Sequence, residues 1–405
     1  MQGIKVFTAA AALALCLASS SAHADVITEW NLAATTATGL IGSPAQARAL
    51  ATAHGAAFEA ANAIQPRYAA YLKTLAPPPD TSPDAAAASA MYVVLSTMIP
   101  AQRSAFEGAY KSIIGKITEG EAKERGVAFG GEVAKLFLEV RANDGMNATA
   151  EYKPLTGPGQ WKPTPPAEAP MTLPNLANVL PFTAKAFGFL KVEGPPALDS
   201  AAYAGDVDEV RQVGSRNSTT RTADQTASAI FWYISTPVPW EAAARAAAQK
   251  INPGLVDNAR IFALMNMAGA DAYIAGWQIK EKTNFWRPIT AIREAIRNPD
   301  PSWEPLLGTP PHPDYPSGHN VHSGAMAEVM RRLIGTDQLT FSASLLLPTG
   351  PLPRSWNSLS EAEKDVMGAR IWAGIHFRTA DEHGIALCHA IAENAVNTVM
   401  RPLAR

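Results

Sequence analysis

Two proline-dense stretches, 154–196 and 299–316, cut a chain whose apolar residues otherwise recur at helical spacing. A helix cannot run through Pro163, Pro165, Pro166, Pro170, Pro174 and Pro181, so the first stretch reads as a connector with short helical pieces at most. Trp161, Phe182, Phe187 and Phe189 make it too apolar for a free linker. Upstream, residues 45–75, 83–115 and 120–142 read as helices. Phe58, Ala61, Ile64 and Tyr68 line one face of the first, and Pro66 kinks or divides it. Downstream, Asp224 to Tyr233, Glu241 to Lys250, Asp257 to Trp286, Gly318 to Ile334, Glu361 to Ile375 and Gly384 to Met400 are helical. No run of β-branched alternation is long enough for a sheet. The expected fold class is all-α: helical bundles in two layers or subdomains, divided as 25–153, a connector 154–200, and a helical domain 201–405.

The first residues have a separate meaning. Lys5 precedes an apolar run from Val6 to Ala18, and Ala22-His23-Ala24 supplies a small-x-small cleavage pattern. Residues 1–24 are expected to be a cleaved signal peptide, with Asp25 as the mature N-terminus and a secreted or periplasmic product. The alternative is a buried N-terminal helix. Cys16 falls in the leader, which leaves Cys388 alone and rules out an intrachain disulfide. A formal net charge of −2 gives no footprint for nucleic acid. No later segment reaches the length of apolar chain that spans a bilayer.

Chemistry concentrates in three clusters. Lys280-Glu281-Lys282-Thr283-Asn284-Phe285-Trp286-Arg287-Pro288 places two cations seven residues apart, on one face if the helix continues, amid Trp277, Phe285 and Trp286. Two such cations also fit a solvated stripe. In His312-Pro313-Asp314-Tyr315-Pro316-Ser317-Gly318-His319 the prolines fix the approach to a helix start. Its free N–H groups, with Ser317, the Gly318 amide and His319, make an anion cradle. A rigid turn capped by Ser317 would explain the serine but not the imidazole. The third cluster, Ala369-Arg370-Ile371-Trp372-Ala373-Gly374-Ile375-His376-Phe377-Arg378, holds an arginine among apolar residues, which requires an anionic partner if buried. His376 alone would more simply be a core histidine.

Lys, six residues, Arg-Pro; Pro-Ser-Gly-His; and Arg, five residues, His follow one another here in order. This tripartite pattern resembles the superfamily of vanadium-dependent haloperoxidases and type 2 phosphatidic acid phosphatases, in the chloroperoxidase-like branch. The resemblance spans Trp277 to Asp381. It implies vanadate as cofactor, bonded through a ring nitrogen of His376. Lys280, Arg287, Ser317, Gly318 and Arg370 would hold the oxyanion, His319 would serve as acid–base group, and Lys280 would polarise bound peroxide. Hydrogen peroxide, a halide (bromide or chloride) and a small organic acceptor are the implied reactants. The same cage implies, as alternatives, an acid phosphatase that splits a phosphate ester through a phosphohistidine at His376, or an inactive oxyanion-binding scaffold. Trp277 resembles a tryptophan beside the halide. His312 resembles a position where halide preference is set, or is a loop histidine without contact to the site.

Two positions depart from the pattern. Ala369 replaces the serine before the third arginine. The aspartate expected four residues after the histidine is Ala380, with Asp381 one step later. On a continuous helix Asp381 would be turned away from His376. The helix must therefore be distorted there, or a carbonyl or another side chain must orient the imidazole.

Overall fold

The computed structural model describes residues 25–404 apart from 40, 73–74, 154, 295–297 and 348–349, so the expected leader, 1–24, lies outside the described residues. Besides two short 3-10 turns, the regular structure among the described residues is thirteen α-helices and one hairpin. They run α1 (Val26–Thr38), α2 (Ser43–Ile64), α3 (Pro83–Met98), α4 (Arg103–Ile114), α5 (Glu121–Ala142), α6 (Ala201–Val213), α7 (Ala223–Ile234), α8 (Pro237–Ile251), α9 (Leu255–Thr283), α10 (Pro288–Arg293), α11 (Gly318–Ile334), β1 (Gln338–Leu347), β2 (Gly350–Ser358), α12 (Leu359–Trp372) and α13 (Arg378–Thr398). The class is all-α. No single helix is long and apolar enough to cross a membrane.

Several boundaries follow from local chemistry. α2 stops at Ile64 rather than continuing to 75, because Asn62 Oδ1 accepts the N–H groups of Arg67 and Tyr68 at 3.1 and 3.0 Å and turns the chain before and after Pro66. The expected helix over 83–115 is two helices, broken at Ile99 by Pro100. α1, which the sequence reading did not separate, starts at Asp25, whose carboxylate accepts the Thr28 N–H at 2.9 Å.

The hairpin corrects the expectation of no sheet. Leu339, Phe341, Ala343 and Leu345 face inward and Thr340, Ser342 and Ser344 outward, a period of two built from Leu, Ala and Ser instead of β-branched residues. Pro351 and Pro353 sit in β2, which a two-stranded sheet tolerates because both strands are edges. The hairpin is fastened through Asp365 of α12. This carboxylate accepts Arg354 Nε and Nη2 at 2.8 and 2.9 Å, the indole N–H groups of Trp232 and Trp356 at 2.8 and 3.0 Å, and the Ser228 hydroxyl at 2.7 Å. It thereby joins α7, β2 and α12.

α9 is the longest helix and is buried along almost its whole length. It packs against α2 on one side and α11 and α13 on the other, and a continuous apolar cluster runs from α1 to α13. Among the described residues the proline-rich connector forms no α-helix, only a 3-10 turn at Pro174–Asn178. It packs on the bundle through buried Trp161, Phe182 and Phe187. Asp271 of α9 rivets it, accepting the backbone N–H groups of Phe182 and Thr183 at 2.6 and 2.7 Å. His54 is a core histidine: its ring lies 3.1 Å from the Asn31 amide, and burial pushes its pKa down to about 3.

α3 and α5 meet backbone to backbone. A Cβ at Gly130 would lie 2.1 Å from the Ala86 carbonyl oxygen, and one at Gly126 would lie 2.5 Å from that of Ser82. Gly130→Ala is therefore expected to destabilise the protein by about 1–3 kcal/mol through overpacking, read from the denaturation midpoint. An unchanged midpoint would mean that the helices part without cost.

Candidate active site

α9 carries the first motif only as far as Thr283. Asn284 takes the left-handed conformation at φ 45° and ends the helix, its N–H bonding to the Lys280 carbonyl at 2.8 Å. From Phe285 the chain then pairs with the connector, with Trp161 N–H on the Asn284 carbonyl at 2.7 Å and Trp286 N–H on the Gly159 carbonyl at 2.9 Å. Pro288 holds Arg287 extended, at ψ 156°. Lys280 and Arg287 thus do not share a helix face, as their spacing suggested. A reversal of the chain brings both into the same buried site.

Arg287 is fully buried and ties the three motifs together. Its Nε donates to the His312 carbonyl at 2.7 Å, and Nη1 to the Ile375 carbonyl at 2.6 Å. Nη1 also lies 2.9 Å from His376 Nε2, and Nη2 3.0 Å from His312 Nδ1. Lys280 Nζ donates to the carbonyls of Pro313 and Asp314 at 2.7 and 2.9 Å, which leaves one of its three N–H groups for a ligand. Burial, with Arg287 beside it, lowers the Lys280 ammonium well below its ordinary range. Burial likewise brings Arg287 and Arg370 down to about 10.

Ser317 caps α11 without a side-chain hydrogen bond to it, so the first-turn N–H groups, Gly318 among them, keep their donor capacity. A Cβ at Gly318 would press to 3.3 Å on the Trp277 ring, which walls this side of the cage. His312 lies on the same ring, centroids 4.9 Å apart. This contact, with those to Arg287, removes the alternative of a loop histidine remote from the site. The His319 ring is held by the backbone of Trp232, and its Nε2 is buried without a partner among the described residues. Burial holds His312, His319 and His376 well below the ordinary imidazole value, so all three are neutral at pH 7.

The third motif is not a continuous helix either. α12 ends at Trp372, Gly374 turns at φ 78° with its Cα face against Gly214, and Phe377 caps α13. His376 sits in this break and Asp381 in the first turn of α13. Asp381 faces Asn320, whose amide donates to it at 2.6 Å, and not the His376 ring. The carboxylate beside His376 is Asp314: its Oδ1 lies 2.8 Å from Nδ1, although the ring N–H is not aimed along that line. Arg287 donates to Nε2, which puts the ring proton on Nδ1, toward Asp314. The sequence reading quoted Asp314 but gave it no role. Its only signal was an acid enclosed by prolines between cationic motifs.

Arg370 decides what the cage lacks. Arg370 is 1 % exposed, and among the described residues its Nε and Nη1 have no partner. A buried guanidinium with idle donors is costly, and an anion between Arg370, Arg287 and Lys280 would satisfy them. Among the described residues the carboxyls that act on these cations are Asp314, raised by burial to about 7, and Asp381, raised well above the carboxylate range. Among the described residues no three His, Cys, Asp or Glu side chains group to hold a metal cation. The donors suit a tetrahedral oxyanion such as vanadate, with His376 Nε2 turned inward as the nitrogen to bond its central atom.

Of the other histidines, His322 stacks on Tyr273 at 4.8 Å and bonds to the Gly269 carbonyl, beside the cage. His383 bonds the Tyr315 hydroxyl and His389 pairs with Glu363. Cys388 is buried, and burial raises its thiol pKa.

The family profile described as "VCPO second helical-bundle domain" matches residues 260–405. Vanadium chloroperoxidase of Curvularia inaequalis is 31 % identical over 262 residues, covering 50 % of this chain and 42 % of that protein, so the match spans less than half of the curated relative. A crystal structure described as the first bacterial vanadium-dependent iodoperoxidase superposes with a TM-score of 0.82 at 26 % identity, over 94 % of this chain and 97 % of that one. The apo form of a bacterial vanadium-dependent chloroperoxidase shares the fold, with a TM-score of 0.73 at 17 % identity over 88 % and 93 % of the two chains. The chain is thus similar to vanadium haloperoxidases in sequence over its C-terminal part and in fold over nearly its whole length.

The Asp314 pKa fixes a pH dependence for anion binding. Above about 7 its carboxyl ionises and adds negative charge beside Arg287 and His376, so oxyanion affinity is expected to fall as pH rises through 7. Sulfate, a dianion throughout this range, is the probe, and calorimetry the measurement. Asp314→Asn should flatten the profile, and a wild-type profile already flat from pH 6 to 8 would contradict the assignment.

Proposed function

We propose that this chain is a vanadate-dependent haloperoxidase that uses hydrogen peroxide to oxidise halide to hypohalous acid, with iodide and bromide ahead of chloride. The observation that carries the reading is the orphaned Arg370 guanidinium facing the Lys280, Arg287 and His376 set. Support for the halide order comes from the iodoperoxidase structure, which covers nearly the whole chain. The leader pattern at 1–24 supports export to the periplasm or medium. Small organic acceptors would be halogenated by the released product.

Lys280, Arg287 and Arg370 would offset the charge of the oxyanion, and Ser317 and the Gly318 N–H would hold its remaining oxygens. His376 would hold it by Nε2, with its Nδ1 proton kept on the Asp314 side. Bound vanadate would supply a Lewis acid that activates peroxide toward halide without a change in the metal's oxidation state. His319, neutral and with Nε2 unpartnered among the described residues, would serve as the acid–base group that moves protons during peroxide activation. Trp277 and His312 form the wall along which halide would approach.

Loading phosphate-free protein with vanadate is expected to produce iodide and bromide oxidation, with excess phosphate competing for the cage. Hydrolysis of a phosphate ester by the unloaded protein, without halide oxidation by the loaded one, would favour the phosphatase. His319→Ala should lower turnover on the order of 10²–10⁴-fold while vanadate still binds. His376→Ala should lose vanadate binding, followed by ultraviolet difference spectra; retained affinity would place the bond elsewhere.

His312 touches Trp277 and Arg287, so His312→Phe is expected to change the ratio of chloride to bromide turnover and its pH profile. Steady-state kinetics for both halides provide the measurement. An unaltered ratio would remove His312 from the halide path.

A further inference from the structure

Tyr233, in the last turn of α7, is absent from the three motifs, yet it stands at the edge of the cage. Its ring lies 6.0 Å from the Arg370 guanidinium carbon, on the residue whose Nε and Nη1 are unsatisfied. The neighbouring Trp232 backbone holds the His319 ring. The Tyr233 hydroxyl hangs over the loop before the second motif, 3.3 Å from where a Cβ at Gly308 would be. Tyr233 is also open to solvent: it is 39 % exposed, the most exposed tyrosine among the described residues. A phenol is the side chain whose ring carbons most readily form a stable bond to electrophilic halogen, and this one lies at the edge of the anion cage and is partly open to water.

We propose that Tyr233 is a modification site, halogenated on a ring carbon ortho to its hydroxyl by the hypohalous acid released from the cage. The inference rests on the haloperoxidase reading, which supplies the oxidant. Ring and hypohalous acid give halogenated ring and water: a carbon–halogen bond forms, while the ring carbon–hydrogen and the halogen–oxygen bonds break. The ring carbon is oxidised by two electrons, the halogen is reduced by two, and the displaced ring proton joins hydroxide as water. Proximity decides the site. Tyr233 stands beside Arg370, so product released on that side of the cage would meet it before dilution, whereas half-buried tyrosines such as Tyr92 and Tyr152 would receive oxidant from bulk solution.

The test uses the full chain loaded with vanadate and turned over with iodide and peroxide while halide oxidation is followed in the same sample. Excess free methionine is added to destroy oxidised halide in bulk, and the chain is then mapped by peptide mass spectrometry. The expected result is one iodine in place of one hydrogen on the peptide containing Tyr233, at least tenfold above unloaded protein given an equal amount of reagent iodine and the same methionine. Tyr233→Phe should lose that label without another tyrosine acquiring a methionine-resistant one. Turnover with a label that methionine removes, or that spreads evenly over the tyrosines, would overturn the proposal and leave the haloperoxidase reading standing. No halide oxidation at all would overturn both.

Discussion

Lys280, Arg287 and Arg370 are all withdrawn from water, and burying positive charge without a matching carboxylate is the demand that the surrounding structure has to meet. Part of the answer is backbone: carbonyls of His312, Pro313, Asp314 and Ile375 solvate Lys280 and Arg287. Those carbonyls belong to irregular segments, because a helix would have consumed them internally. The proline loop and the break at Gly374 are therefore requirements of the site and not interruptions of the fold. Asp314 and Asp381 do not close the balance, as burial favours their neutral forms. What is left over is affinity for an anion.

This organisation explains what could be read from the sequence. Motif spacing singles out Lys280, Arg287, Ser317, Gly318, His319, Arg370 and His376 as candidates, because spacing survives changes in the path between its members. The path itself was not. Arg287 seemed to follow Lys280 on one helix face because nothing in the pattern marks Asn284 as a left-handed cap. His376 and Asp381 seemed to be joined by continuous helix because Gly374 looked like part of an apolar run. Asp314 went unassigned since its contact with His376 links residues distant in sequence. Helix type was legible where alanine-rich periodicity was long. The hairpin was missed because its alternation is written in leucine, alanine and serine.

The residues before the motifs also shape the site. Connector residues 159–161 pair with the strand-like segment leading to Arg287, and Asp271 holds the connector to α9. α9 carries Trp277 and Lys280 at one end and packs on α2 along its length, so the helices of the N-terminal part set the axis from which the first motif projects. A profile match confined to 260–405 captures the ligands of the cage but not this foundation.

Asp365 has a consequence for how such a site diverges. It joins the hairpin to α7 and to α12, and those helices carry the Trp232 carbonyl that holds His319 and, five residues beyond Asp365, Arg370. The His319 ring and the idle guanidinium therefore share a common anchor outside the cage, built from Arg354, Trp356, Trp232 and Ser228. A substitution in this anchor acts as a vernier: it slides one jaw relative to the other while every motif residue keeps its identity. Two chains with the same three motifs need not grip the same anion with the same gap, and their difference would be written in a hairpin that no motif search inspects.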